Sequence, residues 1–473
     1  MSQPHLKIRL VEPKPPGYHV FSRIKLPRLG LPIMGAVLRS KGHDVKIYVE
    51  DLGPINYDDL RSADIVGIST TSSTAPHGYA IAERLREAGV PVVIGGPHAT
   101  FCSEEALTYA PYCMRGEADT TFADLIDRIA SHDEPNDVPG VSYKRGDEII
   151  HNPMAERITD LDSLPFPGLD LIDSPERTRI RPVLTSRGCP FDCTFCSVTG
   201  MFGKTYRTRS LDNILEELEG HRNKQVFFYD DNFAASPSRA KEICEAIIRN
   251  NLNIGWGAQV RADVAKDDEL LRLLQRAGCG MLFIGLESVN PETLKAYNKK
   301  QKVEDIESCI KKLHKHKILI HGMFISGSDQ DDASSVSGTV DFAIKHHVDT
   351  IQCSVLTPLP GSKLYDDLEK ENRIFLRDWS LYDGGHVVFE PKKMSPLALQ
   401  QETVRVYQKF YTFQRCAKAV VKRRFVSAWL RYFGTIETKR WEESNRDFVN
   451  SLRNFVSRQD NGESMPVPAS GAE

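Results

Sequence analysis

The 473-residue sequence has no run near the roughly 20 apolar residues that a membrane-spanning helix needs. Its start, Met1–Val11, lacks the charged region and long apolar core of a secretion signal, so the cytoplasm is the expected compartment. Net charge is only −3, which argues against a nucleic-acid partner held by the whole surface. A hydrophobic content of 40% excludes wholesale disorder. Ten cysteines in a chain of this length do not make a small secreted scaffold, and reduced thiols are free to bind metal. The length itself calls for two or three domains.

What the chain has is alternation. Within residues 1–135, strand signals at Leu6–Val11, Val45–Val49, Asp64–Ser69 and Val90–Ile94 alternate with helix signals at Leu31–Lys41, Ala75–Ala88, Ser103–Tyr109 and Thr120–Ile129. This rhythm predicts a Rossmann-like open parallel sheet with helices on both faces. Residues 136–178 break it: Val138–His151 reads as a hairpin, and the proline-punctuated run after it as a linker. Over residues 179–385, six strand–helix units follow, with strands near Ile180–Thr185, Val226–Tyr229, Ile254–Val260, Met281–Leu286, Ile318–Ile325 and Thr350–Leu356. They predict a partial (β/α)6 barrel with its chemistry at the carboxyl ends of the strands. Ser236-Pro237 reads as a helix cap followed by the first turn. Residues 386–458 read as a helical C-terminal segment and 459–473 as a disordered tail. The expected class is therefore α/β.

The segment Thr185–Ser197 (TSRGCPFDCTFCS) places Cys189, Cys193 and Cys196 in one loop after the first barrel strand. Thiolates are the usual ligands of iron–sulfur clusters, and a closed cubane takes four. Three leave one iron open, and an open position lets a metal site do chemistry. A zinc knuckle would want a fourth ligand nearby, yet the next histidine is His221, at the far end of the following helix. The other seven cysteines are scattered and read as small buried residues.

The Cys-x₃-Cys-x₂-Cys spacing, with Phe195 just before the third cysteine, resembles the signature loop of the radical S-adenosylmethionine superfamily. The resemblance runs through residues 180–360. It implies a [4Fe–4S] cluster whose open iron is chelated by S-adenosylmethionine, and a 5′-deoxyadenosyl radical that abstracts hydrogen. It also implies contacts to S-adenosylmethionine from Phe195, Asp231, Arg261, Glu287 and Gly327. Plainer roles compete: helix capping for Asp231, surface ion pairs for Glu287 and Arg261, and a turn for Gly327. The electron would come from a reducing partner such as flavodoxin or ferredoxin.

In the first domain, Val92–Thr100 (VVIGGPHAT), Gly67–Thr70 and Arg115–Glu117 fall at the carboxyl edge of the expected sheet, where open α/β sheets bind ligands. They resemble the cobalamin-binding domain found ahead of the barrel in one subgroup of the same superfamily. The resemblance implies a cobalamin site drawing on Ser69, Thr70, Ser72, Gly95, Gly96, Pro97, His98, Gly116 and Glu117. Ordinary strand-to-helix turns use the same residue types. The Asp-x-His-x-x-Gly motif that supplies a cobalt ligand elsewhere is absent, so His98 is not read as one.

Phe413 to Ile436 carries six Lys/Arg and no Asp or Glu, with Ala417, Val421, Phe425, Ala428, Trp429 and Tyr432 at helical spacing. The favoured expectation is a helix packing this apolar face on the barrel. Peripheral contact with an anionic membrane is the other reading, and it keeps a lipid substrate open beside a small molecule. The function expected is hydrogen abstraction from an unactivated carbon, followed by cobalamin-dependent methylation. Without cobalamin, ring formation, carbon–carbon coupling or oxidation takes its place. A non-catalytic cobalamin or iron–sulfur sensor is the rival from another class.

Overall fold

Apolar strands closed by polar turns build two separate sheets in the computed structural model, which describes residues 5–15, 17, 25–421 and 425–460. The first sheet uses β1 (Lys7–Glu12), β2 (Asp44–Val49), β3 (Ile65–Ser69), β4 (Val92–Gly95), β5 (Tyr112–Met114), β6 (Val141–Arg145) and β7 (Glu148–His151), in the order β2-β1-β3-β4-β5-β6-β7. Its first five strands are parallel. β1, β3 and β4 are covered by helices on both faces, which is why they read as nearly continuous apolar runs. The hairpin β6–β7 pairs antiparallel with β5 and so extends this sheet.

The second sheet is all parallel, in the order β8 (Ile180–Val183), β11 (Gln225–Phe228), β12 (Gly255–Arg261), β13 (Cys279–Glu287), β14 (Leu319–Ser326), β15 (Thr350–Val355). A two-stranded ladder, β9 (Ser186–Arg187) with β10 (Arg207–Thr208), sits after β8. β8 and β15 do not pair, so the barrel stays open, as the six-unit count implied. The exposed edge of β15 is instead covered by the helix Pro396–Phe410 and the residue that ends it. The Tyr411 hydroxyl accepts from the Ile351 amide at 2.9 Å, and Tyr407 from Cys353 at 2.8 Å, satisfying an edge that would otherwise invite pairing. The fold is the α/β class expected: a Rossmann-like parallel-rich sheet, an open barrel and C-terminal helices.

Buried charge joins the two sheets. Arg187 on β9 grips Asp119 of the first domain through both guanidinium nitrogens at 2.7 Å, and Glu117 bridges Arg187 and Arg207. Near the C terminus, Trp379 lies edge-on to His98 and donates to Glu105 at 2.9 Å.

Two local expectations change. Pro237 opens its helix, but the Ser236 hydroxyl makes no cap bond and lies 3.2 Å from Ser238 Oγ instead. The helix Phe425–Ser444 packs on the barrel through Ser427, Ala428, Arg431 and Thr435, while Val421, Phe425, Trp429 and Tyr432 face outward. Hydrogen bonds decide that orientation: Arg431 donates to the carbonyls of Val348 and Asp349, and Ser427 to the Asp349 carboxylate. Among the described residues, no helix is long and apolar enough to cross a membrane. The expected disordered tail lies almost wholly outside the described residues.

Candidate active site

The cysteine loop starts from a buried carboxylate. Asp230, fully buried after β11, accepts from the Thr185 hydroxyl at 2.8 Å and from Ser186, which locks the end of β8 to the end of β11. Gly188 then turns the chain at φ +83°, where an added Cβ would collide with the Thr205 carbonyl. The loop is tied to its neighbours. Thr194 N donates to the Tyr297 carbonyl at 3.2 Å, and Asn298 donates to the Asp192 carboxylate at 2.8 Å. Phe195 meets Tyr297 edge-on at 5.0 Å. Arg261 stacks over Phe191 at 3.8 Å and donates to the Lys299 carbonyl.

A cavity of about 610 Å³ opens above this loop, and both domains wall it. The loops after β3 and β4 contribute Thr71, Ser72, Ser73, Pro97 and Phe101. The barrel contributes Cys189, Cys193, Cys196, Asp231, Arg261 and Glu287. Phe101 is wedged against Gly200 and Gly361, so it closes the seam between the domains beside the cysteines.

The donors suit an iron–sulfur cluster. Among the described residues, the one group of three potential ligands lying within 4.8 Å of one another is His98, Cys102 and Glu105. Cys189, Cys193 and Cys196 instead share the wall of the cavity, and three thiolates from one loop are the donor type an iron–sulfur cluster uses. Among the described residues, no other cysteine and no histidine lines the cavity, so these three are its thiolate ligands. Burial pushes the Cys196 thiol up to about 12 and raises Cys189, so metal binding must displace their protons.

Asp231 opens into the cavity yet is walled by protein; burial, with the adjacent Asp230, pushes its carboxyl up to about 6. A cation placed against it would be favoured and would pull that value down again. Glu287 sits at φ +60°, a conformation that costs a non-glycine residue about 1–3 kcal/mol, and forms a buried ion pair with Lys299. The surface ion pair weighed for it does not occur.

Cys189, Cys193, Cys196, Phe195, Asp231, Arg261, Glu287, Ser72 and Pro97 thus meet around one cavity. Other residues named from the sequence lie elsewhere. Gly327 turns at φ +111° and faces Leu399, away from the cavity. Ser69, Thr70, Gly95 and Gly96 stitch two loops together behind the wall: Thr70 N donates to the Gly95 carbonyl at 2.8 Å, and a Cβ on Gly96 would lie 2.6 Å from Thr70 O. Gly116 donates to the Thr100 hydroxyl at 3.0 Å, and Glu117 is consumed by Arg187 and Arg207. His98 is 1% exposed, behind Ser72, with its Nδ1 3.3 Å from the Ser72 hydroxyl.

Several lining residues carry no motif. Lys299 and Phe101 gave no sequence signal, whereas Asn232, whose buried Oδ1 has no hydrogen-bond partner, follows Asp231 at the end of the second barrel strand. Gln259 on β12, with Gln352 and Ser354 on β15, did leave one: polar residues at alternating inward positions of apolar strands.

Comparison with known proteins agrees with this geometry. The family model for the radical SAM superfamily matches residues 183–343, and that for the B12 binding domain matches residues 23–126. The bacteriochlorophyllide d C-12(1)-methyltransferase of Chlorobaculum tepidum is 29% identical over 402 residues, covering 83% of each chain. An anaerobic magnesium-protoporphyrin IX monomethyl ester cyclase of Synechocystis is 28% identical over 415 residues, covering 82% of this chain and 83% of the relative. The cobalamin-dependent S-adenosylmethionine radical enzyme OxsB, solved with aqua-cobalamin and S-adenosylmethionine bound, superposes with a TM-score of 0.68. That match covers 98% of this chain and 82% of OxsB at 16% identity, a likeness of fold. With both domain models matched in the order in which the two sheets occur, the chain belongs to the radical SAM superfamily, in the group with an N-terminal B12-binding domain.

Proposed function

We propose that the protein cleaves S-adenosylmethionine reductively and methylates an unactivated carbon of a small-molecule substrate, with cobalamin as the methyl carrier. The radical SAM domain brings the [4Fe–4S] cluster and S-adenosylmethionine, and the B12-binding domain brings cobalamin. The observation that carries the reading is the shared cavity, in which hydroxyl residues of one domain face the cysteine loop of the other. Relatives named as methyltransferases support the same outcome.

When bound, the cluster supplies the electron that breaks the sulfonium, and cobalamin carries the methyl group. The chain binds and orients. Cys189, Cys193 and Cys196 would hold three irons and leave the fourth to the cofactor. Asp231 would accept hydrogen bonds from the cofactor ammonium, a charge-assisted contact of the stronger kind. Glu287, paired with Lys299, would accept from ribose hydroxyls. Arg261 is already engaged by Phe191 and the Lys299 carbonyl, so its role is to hold the cysteine loop. Thr71 and Ser72 would offer neutral hydrogen bonds to cobalamin, while Pro97 and Phe101 keep water out of the seam. A flavodoxin or ferredoxin is the class of reductant proposed.

The test is anaerobic reconstitution with iron and sulfide, with and without cobalamin, followed by S-adenosylmethionine and reductant. Formation of 5′-deoxyadenosine together with cobalamin-dependent S-adenosylhomocysteine is the expected result. 5′-Deoxyadenosine alone would move the protein to ring closure, the reaction class in the name of the Synechocystis relative. Absence of both products would overturn the proposal.

A further inference from the structure

Among the described residues, seven of the eight large hydrophobic side chains left exposed lie between 413 and 432; the eighth is Met154. Val421 is 83% exposed, Phe425 63% and Trp429 61%. They sit on the Phe413–Val421 helix and the start of the Phe425–Ser444 helix, which pack on each other. Scattered exposed apolar residues are ordinary, but a contiguous patch marks an interaction surface. The patch cannot roll inward, because Ser427 and Arg431 on the opposite face are bonded to Val348 and Asp349 at the start of β15.

Charge identifies the partner. From Phe413 to Ile436 there are six Lys/Arg and no Asp or Glu. Arg431 is spent on the barrel and Arg415 lies over Phe410, while Lys418 is exposed. Lys422, Arg423 and Arg424 add three further cations to the same stretch of chain. Exposed Trp and Tyr beside Lys and Arg, with no acid among them, suit the headgroup boundary of an anionic bilayer: aromatic rings enter the interface and cations meet lipid phosphates. A second copy of this chain would set these cations against one another.

We propose that this face docks the protein peripherally on an anionic lipid bilayer. The docking helix also reaches the active site: Trp441, roughly 18 Å along the axis from Trp429, packs on His386 beside Asp383 and Gly384 of the cavity wall. Docking requires no cofactor, so it stands or falls separately from the methyl-transfer reading.

The full chain is floated with vesicles of phosphatidylcholine alone and of equal parts phosphatidylcholine and phosphatidylglycerol. Binding is expected only to the anionic vesicles and weakens with added salt. Phe425→Ser with Trp429→Ser abolishes it, and Lys418→Gln with Lys422→Gln weakens it about 25-fold, at about fivefold per charge. Thermal melting checks that both variants stay folded; Trp429→Ser gives up the edge contact of its ring with Phe433 at 4.5 Å. Failure to float, or equal binding to neutral vesicles, overturns the proposal. So does a concentration-dependent dimer, seen by sedimentation, that the Phe425/Trp429 variant dissolves while vesicle binding is unchanged.

Discussion

Asp119→Ala probes the joint between the two domains. Arg187 and Asp119 are each under a tenth exposed and share two 2.7 Å contacts. The guanidinium stays charged despite the burial that opposes it, because Asp119 and Glu117 face it. Removing Asp119 leaves two arginines on Glu117, with Arg187 3.4 Å from that carboxylate. Breaking a buried pair from one side costs about 3–5 kcal/mol, and the remaining Glu117 contact places this case at the lower end, about 3 kcal/mol. Since the pair joins separate sheets, the loss falls on their docking. Urea unfolding followed by tryptophan fluorescence and circular dichroism should change from coincident to separated transitions. Arg187→Met added to Asp119→Ala should recover much of the loss, because no unpaired charge then remains buried. A cost below about 1 kcal/mol, or a double variant as unstable as the single one, would refute the reasoning.

Gly361 at φ +82° has no room for a side chain, since an added Cβ would enter the Phe101 ring. Gly361→Ala should cost about 1–3 kcal/mol from overpacking and lower S-adenosylmethionine cleavage; Phe101→Ala in the same chain should restore stability in part, measured by thermal melting. Asp231→Asn should weaken S-adenosylmethionine binding about 10- to 150-fold, the loss of a hydrogen bond to a charged group worth about 1.5–3 kcal/mol, with cluster content unchanged in equilibrium dialysis. Burial lowers His321 from 6.5 to about 4 in the folded state. The unfolded chain therefore takes up this proton first, and stability falls as pH drops from 6.5 toward 4. The loss approaches about 3 kcal/mol for full burial, and less for a ring that keeps some solvent contact. His321→Gln should flatten that part of the pH–stability curve.

The strands were legible because each is a short apolar run between breakers; all six barrel strands lie within two residues of their expected bounds. The cysteine loop was legible because its ligands are close in sequence. Contacts between distant residues were not. Nothing in a linear reading joins Arg187 to Asp119, 68 positions away, or shows that Lys299 holds Glu287. Glycines were ambiguous for a related reason: Gly96 and Gly327 both adopt positive φ, and only their neighbours show that neither faces the cavity. The C-terminal helix was misjudged because apolar spacing defines a face without saying what covers it. Ser427 and Arg431, ordinary surface residue types, proved to be the anchors.

The central claim is an iron–sulfur cluster on Cys189, Cys193 and Cys196 with one iron left for S-adenosylmethionine. The most direct measurement is the electron paramagnetic resonance spectrum of the dithionite-reduced, reconstituted protein, with and without S-adenosylmethionine, beside Cys193→Ala. The expected result is a reduced [4Fe–4S] signal in the native chain that changes when S-adenosylmethionine is added, and loss of that signal in Cys193→Ala. A full native-like signal in Cys193→Ala, or a native signal that S-adenosylmethionine leaves unchanged, would contradict it.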